Sequence, residues 1–171
     1  MTVINKVTSF LKQIVMTLQK IEDSVLVGLL LLMICMAVLQ IFMRNLFDSG
    51  ILWGDSLVKV LVLWIGLMGA MIASRDNHHI TIDILSKFLS EQIKKITNFI
   101  IYVFTSLVCG IMAYYSLDFV IMEKQDGFTA FANIPAWVCE SIIPIAFAII
   151  SLRYIFLSIT SLAQFFKPSQ Q

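Results

Sequence analysis

Four long stretches of this chain are almost free of charged residues, and this pattern constrains its fold more than any other feature. Only 13% of the 171 residues are charged, about half of the roughly 25% found in soluble domains. A transmembrane helix needs about 20 apolar residues, so four spans account for about 80 residues and leave only short loops and ends. The sequence therefore predicts an all-α membrane protein with four transmembrane helices in a single membrane domain.

Two of the predicted spans contain charged residues or proline within them or at their ends. The second reaches spanning length only if Lys59 extends its ammonium group to the lipid headgroups. The fourth contains Glu140 and Arg153, and we expect it to kink at Pro144 because proline interrupts helical hydrogen bonding. The predicted bounds of the four spans are about residues 24–43, 57–74, 96–117 and 135–157.

Two segments outside the spans have the hydrophobic periodicity of amphipathic helices. In the first, at about residues 3–22, apolar residues recur at steps of three and four and lie opposite lysines. We interpret this segment as a helix that lies under the lipid headgroups, with docking on a partner subunit as the alternative. The second, at about residues 82–94, is predicted to be a short interfacial helix in the loop between the second and third spans.

Positive charge is distributed unevenly between the two sides of the predicted membrane domain. Eight Lys and Arg residues fall in the N-terminus, the middle loop and the C-terminus, once Lys59 and Arg153 inside the spans are set aside. The other two loops contain only Arg44 and Lys124. Because cytoplasmic loops carry the excess of Lys and Arg, the sequence predicts that both termini are cytoplasmic.

Charged residues near the outer ends of the predicted spans are candidates for function, since charge near the hydrocarbon is costly unless it is paired or hydrated. Asp55 and Lys59 stand four residues apart, in the order that pairs best on a helix. Together with Arg44 and Glu140 they either satisfy one another, contact another subunit or form a proton relay. Arg153 lies near the cytoplasmic end of the fourth span and is expected to extend to the headgroups.

The sequence shows no residue pattern that indicates catalysis, a cofactor or a metal site. His78 and His79 are adjacent, so they cannot bind one metal or haem from opposite sides, and the three cysteines lack paired spacing. The net charge of +1 provides no basic patch for nucleic acid. Trp53 falls where aromatic rings anchor at the headgroups, whereas Trp64 lies deeper and is expected to make a packing or lipid contact.

Several short motifs lie at or near the ends of the predicted helices. In the first half these are Arg44-Asn45-Leu46-Phe47, Trp53-Gly54-Asp55-Ser56-Leu57, Leu63-Trp64-Ile65-Gly66, Gly69-Ala70, Arg75, His79-Ile80 and Asp83. In the second half they are Asn133-Ile134-Pro135-Ala136-Trp137, Ile143-Pro144-Ile145 and Arg153. From Asp23 to Arg153 the chain resembles the small, Q-type membrane subunit of tripartite ATP-independent periplasmic (TRAP) transporters. One departure is that the family often has two acidic residues where this chain has Gly54-Asp55.

The resemblance implies that the chain is not an enzyme, needs no cofactor and is a small scaffold subunit in the bacterial cytoplasmic membrane. A large elevator-type membrane subunit would then hold the substrate and sodium sites. A periplasmic binding protein would deliver a small carboxylate, such as sialic acid or a C4-dicarboxylate. We therefore predict an interface with the large subunit or with membrane lipid at a set of residues near the helix ends: Arg44, Trp53, Asp55, Lys59, Trp64, Arg75, Glu140 and Arg153.

Two other functions are alternatives from the residues alone. A small multidrug-type transporter would form its own substrate path around a buried acidic residue, but Glu140 lies only about one turn from the membrane surface. A membrane anchor for a redox enzyme would need haem-ligating histidines on facing helices, whereas His78 and His79 lie in one predicted loop.

Overall fold

The computed structural model describes residues 2–48, 50–76 and 91–165. A small antiparallel sheet connects the third helix to the fourth, with strand β1 at Thr129–Phe131 and strand β2 at Ile134–Pro135. The helices are α1 (Thr2–Phe47), α2 (Gly54–Asp76), α3 (Glu91–Asp126), α4 (Ala136–Glu140) and α5 (Ile142–Phe165).

Within these residues, four helical stretches are long and apolar enough to cross a membrane. They are Val15–Phe47, Gly54–Arg75, Lys95–Asp126 and Ala136–Leu162, the last of which joins α4 and α5. The prediction of a helical chain with four potential membrane-spanning helices is therefore confirmed.

Helix α1 differs from the sequence prediction, because it is continuous where we predicted two elements that meet near residue 23. Glu22, Asp23 and Ser24 include no glycine or proline that would end a helix at that point. At a rise of 1.5 Å per residue, its 46 residues extend about 69 Å, about twice the thickness of the hydrocarbon core. Part of α1 must therefore lie outside the hydrocarbon, and its placement under the headgroups stays a prediction.

The predicted interfacial helix falls mainly on residues that the structure leaves undescribed. Helix α3 begins at Glu91, so residues 82–90 lie outside the described part of the chain. The same applies to His78 and His79.

The chain packs as two compact units, Met1–Met68 and Gly69–Gln171, with the boundary inside α2. In the second unit, α3 packs mainly against α5. Four buried apolar residues of α5 recur every four positions and so lie on one face, which includes the fully buried Ala146. Tyr154 on this face contacts Tyr102 of α3, with 6.0 Å between the ring centroids. These four residues are Ile142, Ala146, Ile150 and Tyr154.

Small residues bring α3 and α5 close together at the middle of this interface. The Ser151 hydroxyl donates a hydrogen bond to the carbonyl oxygen of Ser106, with a distance of 2.9 Å. A Cβ atom added to Gly110 would lie 3.4 Å from the Ser151 Oγ atom, which leaves almost no space for a larger side chain. Close approach of this kind is typical of helix pairs in membranes, where small residues permit tight packing and polar side chains bond across the helices.

A β-hairpin that the sequence analysis did not predict follows the end of α3. Gly127 ends the helix with a φ of 71°, and its N–H group donates to the carbonyl of Glu123. The two residues that connect the strands, Ala132 and Asn133, also have positive φ values, of 43° and 65°. This is the pattern of a two-residue hairpin turn, but alanine is uncommon in that conformation, so the sequence signal was weak.

The predicted fourth span is interrupted at Ser141, three residues before the proline that we expected to kink it. Pro144 has no N–H group to donate to the carbonyl of Glu140, and its ring crowds that carbonyl. Helix α4 therefore ends at Glu140, and α5 begins after Ser141. The N–H group of Ser141 donates to Trp137 and its hydroxyl donates to Val138, so hydrogen bonding continues through the interruption.

We predict that Gly110→Leu destabilises the chain, because the larger side chain must separate α3 from α5 at Ser151. Overpacking of this kind costs about 1–3 kcal/mol. Thermal unfolding of the detergent-solubilised chain, followed by circular dichroism, measures the effect. Gly28→Leu is the matched control, because a Cβ atom at Gly28 would meet nothing within 4 Å. Equal unfolding midpoints for the two variants would contradict the close packing.

Candidate functional site

Two of the predicted interface residues, Arg44 and Asp55, meet where α1 connects to α2. Gln40 belongs to the same group, because its side-chain Nε2 atom donates to the carbonyl of Ile51 at 3.0 Å and to the Asp55 carboxylate at 3.1 Å. The Ile51 N–H group donates in return to the Gln40 Oε1 atom at 3.3 Å. Arg44 donates to the second Asp55 oxygen, also at 3.3 Å. We call this group, Gln40, Arg44, Ile51 and Asp55, the α1–α2 clasp.

Gln40 is the central residue of the clasp, because it is 6% exposed and its amide bonds to both the loop and the first turn of α2. The sequence analysis missed this role. The available signal was that Gln40 is the one amide side chain within the predicted first span. A buried amide is stable only when its donors and acceptor are hydrogen-bonded, which the loop and Asp55 achieve here.

Gly54 allows the clasp to close. A Cβ atom added to it would lie 2.7 Å from the Gln40 Oε1 atom, closer than any side chain permits. The Gly54 N–H group donates to the carbonyl of Ile51 at 2.9 Å, at the point where α2 begins. A side chain at Gly54 would therefore displace the Gln40 amide from the clasp.

The clasp corrects the expected pairing of Asp55. In the described part of the chain, its carboxylate bonds to Gln40 and Arg44, and no hydrogen bond or ion pair joins it to Lys59, whose side chain is exposed. Helix α1 presents two donors to Asp55, and these replace the weak pairing that spacing along one helix offers. The Arg44–Asp55 ion pair has side chains 65% and 57% exposed, so by itself it contributes about 0–1 kcal/mol.

Arg153 also differs from expectation. Its guanidinium donates to the carbonyl of Met71 and, at 3.2 Å, to the hydroxyl of Ser74, rather than only extending to the headgroups. Ser74 is buried and donates to the same Met71 carbonyl at 2.6 Å. A cation is favoured here because this part of α2 is near its C-terminal end, which is the negative end of the helix dipole. Arg153 thus connects α5 to the last turns of α2.

Glu140 is the last residue of α4, at the interruption of the fourth predicted span. Its Oε2 atom is buried and has no hydrogen-bond partner among the described residues. Nearby, the Lys124 Nζ atom lies 5.2 Å from the centre of the Trp137 ring, a cation–π contact that connects the end of α3 to α4.

The other predicted interface residues differ in exposure. Trp53 is 42% exposed in the turn before α2, whereas Trp64 and Arg75 are half-buried on α2, and each of the three makes contacts within the structure. Among the described residues there is no group of three or more His, Cys, Asp or Glu side chains that could hold a metal ion.

One cavity lies along α1, with a volume of about 360 Å³, and we call it the α1 groove. Its lining is apolar apart from a single amide, and successive lining residues are separated by three or one positions, so they share one side of the helix. Gln40 and Arg44 lie on the other side, about half a turn away. The α1 groove is lined by Val38, Ile41, Phe42, Asn45 and Leu46.

Comparison of the sequence with known proteins gives a family match. Residues 33–164 match the sequence profile of the family described as "Tripartite ATP-independent periplasmic transporters, DctQ component". Over 88 residues, or 52% of its length, the chain is 31% identical to the sialic acid TRAP transporter permease protein SiaT of Haemophilus influenzae. That match spans 14% of the relative.

Two similar proteins match over most of both chains. A putative TRAP transporter small permease protein of Haemophilus influenzae is 24% identical over 82% of each chain. The ectoine TRAP transporter small permease protein TeaB of Halomonas elongata is 25% identical over 85% of this chain and 76% of its own length. The family profile covers all but the first part of α1 and the last residues. The chain therefore belongs to the DctQ family of small membrane permease components of TRAP transporters, which are transport proteins and not enzymes.

Proposed function

We propose that this chain is a scaffold subunit that gives the large membrane subunit of a TRAP transporter a fixed frame in the bilayer. The large subunit holds the substrate and sodium sites and moves between the two sides of the membrane. A periplasmic binding protein delivers the substrate to the assembled complex. In this proposal the small subunit takes no part in binding the substrate.

The observation that supports the proposal is the use of polar side chains inside the predicted spans. Gln40 bonds to the loop and to α2, Ser151 bonds to the α3 backbone, and Arg153 bonds to the last turns of α2. Each of these hydrogen bonds ties one element of the chain to another. A subunit whose polar groups hold its own helices together is suited to resist the movement of a neighbouring subunit.

We propose a small carboxylate as the substrate of the whole complex, with sialic acid as the first candidate and C4-dicarboxylates as the second. Support for sialic acid comes from the relative with 31% identity, a sialic acid permease. The ectoine permease is 25% identical over a longer stretch of 146 residues.

We also propose that the chain lies in the bacterial cytoplasmic membrane with both termini in the cytoplasm. The support is the excess of Lys and Arg in the termini and in the loop after α2, compared with the α1–α2 and α3–α4 connections. The clasp and the hairpin then face the periplasm, where the binding protein arrives.

The experiment that tests the scaffold role is affinity purification of this chain from its native membrane in mild detergent. We expect a larger membrane protein to co-purify with it in a constant ratio. Recovery of the chain alone, from membranes in which the large subunit is present, would contradict the proposal.

Variants of the α1–α2 clasp should reduce this co-purification. Gln40→Leu removes every hydrogen bond of the buried amide, and Asp55→Ala leaves donors of Gln40 and Arg44 without an acceptor. An unsatisfied buried donor costs about 1–3 kcal/mol, so we expect lower thermal stability and several-fold less assembled complex for both. Arg44→Ala should have a smaller effect because its ion pair is exposed.

Lys59→Ala is the matched control for the clasp, because Lys59 lies one turn after Asp55 and does not bond to it in the structure. This variant should assemble as the unmodified chain does. If Lys59→Ala reduced the yield as much as Asp55→Ala did, the helix-local pair predicted from the sequence would be the important one, and the clasp would not be.

The proposed orientation is tested by cysteine labelling in a background where Cys35, Cys109 and Cys139 are replaced by alanine. A membrane-impermeant maleimide added from the periplasm should label cysteines introduced near Ser49 and near Gln125. Cysteines near Ser90 and Ser169 should react only after the membrane is permeabilised. The reverse pattern of labelling would contradict the orientation.

A further inference from the structure

Large apolar side chains are exposed at the end of α1 and in its connection to α2. Leu52 is 100% exposed, Phe47 is 63% exposed and Trp53 is 42% exposed. We call these three residues the α1–α2 knob. Exposed apolar side chains at the end of a helix pair need an apolar environment outside the chain, because water is unfavourable for them.

The clasp holds the knob in place. Ile51, the residue before Leu52, has its N–H and carbonyl groups bonded to the Gln40 amide, and its carbonyl also accepts from Gly54. The carbonyl of Trp53 accepts from the N–H group of Leu57, in the first turn of α2. The backbone on both sides of Leu52 is therefore fixed, and the exposure of Leu52 is a feature of the folded chain.

The position of the knob identifies what surrounds it. Residues 48–53 connect two stretches that are each long and apolar enough to cross a membrane, Val15–Phe47 and Gly54–Arg75. A six-residue connection between two spans lies at the height where both leave the hydrocarbon. Charged side chains are present at this level, in Arg44, Asp48 and Asp55, as the headgroup region permits.

The exposed apolar surface also continues from the knob into the span. Leu46, next to Phe47, is 59% exposed and lines the α1 groove with Phe42 and Ile41, which are 52% and 68% exposed. Ile41, Phe42 and Leu46 therefore present exposed apolar side chains over the last turns of α1, where the lipid changes from hydrocarbon to interface. Tryptophan is itself enriched at that interface.

We propose that the α1–α2 knob inserts into the interfacial zone of the bilayer, with lipid and not a protein subunit as its neighbour. The clasp then has a second role, because it sets the angle at which Leu52 and Trp53 enter the lipid and so fixes the depth of this end of the helix pair. The proposal concerns lipid contact, so it is independent of whether the chain acts as a scaffold.

A spin label at Leu52 tests the proposal in the assembled complex. The label is attached to Leu52→Cys in the alanine background for Cys35, Cys109 and Cys139, with cysteine-free partner subunits, in vesicles of phosphatidylethanolamine and phosphatidylglycerol. Collision rates are measured with oxygen, which concentrates in lipid, and with a water-soluble nickel chelate. We expect the label to collide several-fold more with oxygen than with nickel, and a label at Phe47→Cys to show the same preference.

The control is Asp126→Cys, an exposed position at the end of α3 that should favour nickel. Low collision rates with both reagents at Leu52 would show that a protein subunit covers the knob, and a preference for nickel would show that the knob lies in water. Either result would overturn the proposal, and neither would bear on the co-purification of the large subunit.

Discussion

The hydrogen bonds of polar groups inside apolar helices are the interactions on which the rest of this structure depends. A membrane offers no water to satisfy a buried amide, hydroxyl or guanidinium, so each must bond within the protein. Gln40 bonds to the loop that follows α1, Ser151 to the backbone of α3, and Arg153 to the last turns of α2. Each bond also fixes which parts of the chain come together, because an alternative arrangement would leave a polar group unsatisfied.

These bonds connect the fold to the function of the family. In a TRAP transporter, the small permease component belongs to a complex with other components. The sequence alone suggested several charged residues as interface or relay groups. In the structure, three of them bond within the chain: Arg44, Asp55 and Arg153. These bonds within the chain are consistent with a rigid frame. Membership of the DctQ family replaces the two alternatives from the sequence, a multidrug-type transporter and a redox anchor. Exposed groups such as Lys59 are then available for contact with other subunits, and the knob for contact with lipid.

The sequence predicted the features that depend on composition and missed those that depend on contact between distant residues. Four charge-free runs predicted four potential spans, because the length and hydropathy of a span are local properties. The partner of Asp55 was not predictable, since Gln40 and Arg44 come from another helix and spacing favoured Lys59. Pro144 cannot donate a hydrogen bond to the carbonyl of Glu140, four residues earlier, and this explains why the helix is interrupted at Ser141 and not at the proline itself. The continuity of α1 was missed because a change in periodicity does not itself end a helix.

The measurement that tests the scaffold account most directly is substrate and sodium uptake in proteoliposomes that contain this chain alone, the large subunit with this chain, or both with the periplasmic binding protein. The account predicts no substrate-dependent sodium uptake by this chain alone, and sodium-driven substrate uptake only when the large subunit and the binding protein are also present. Sodium-driven uptake by this chain alone would contradict it, because the chain would then contain its own substrate path.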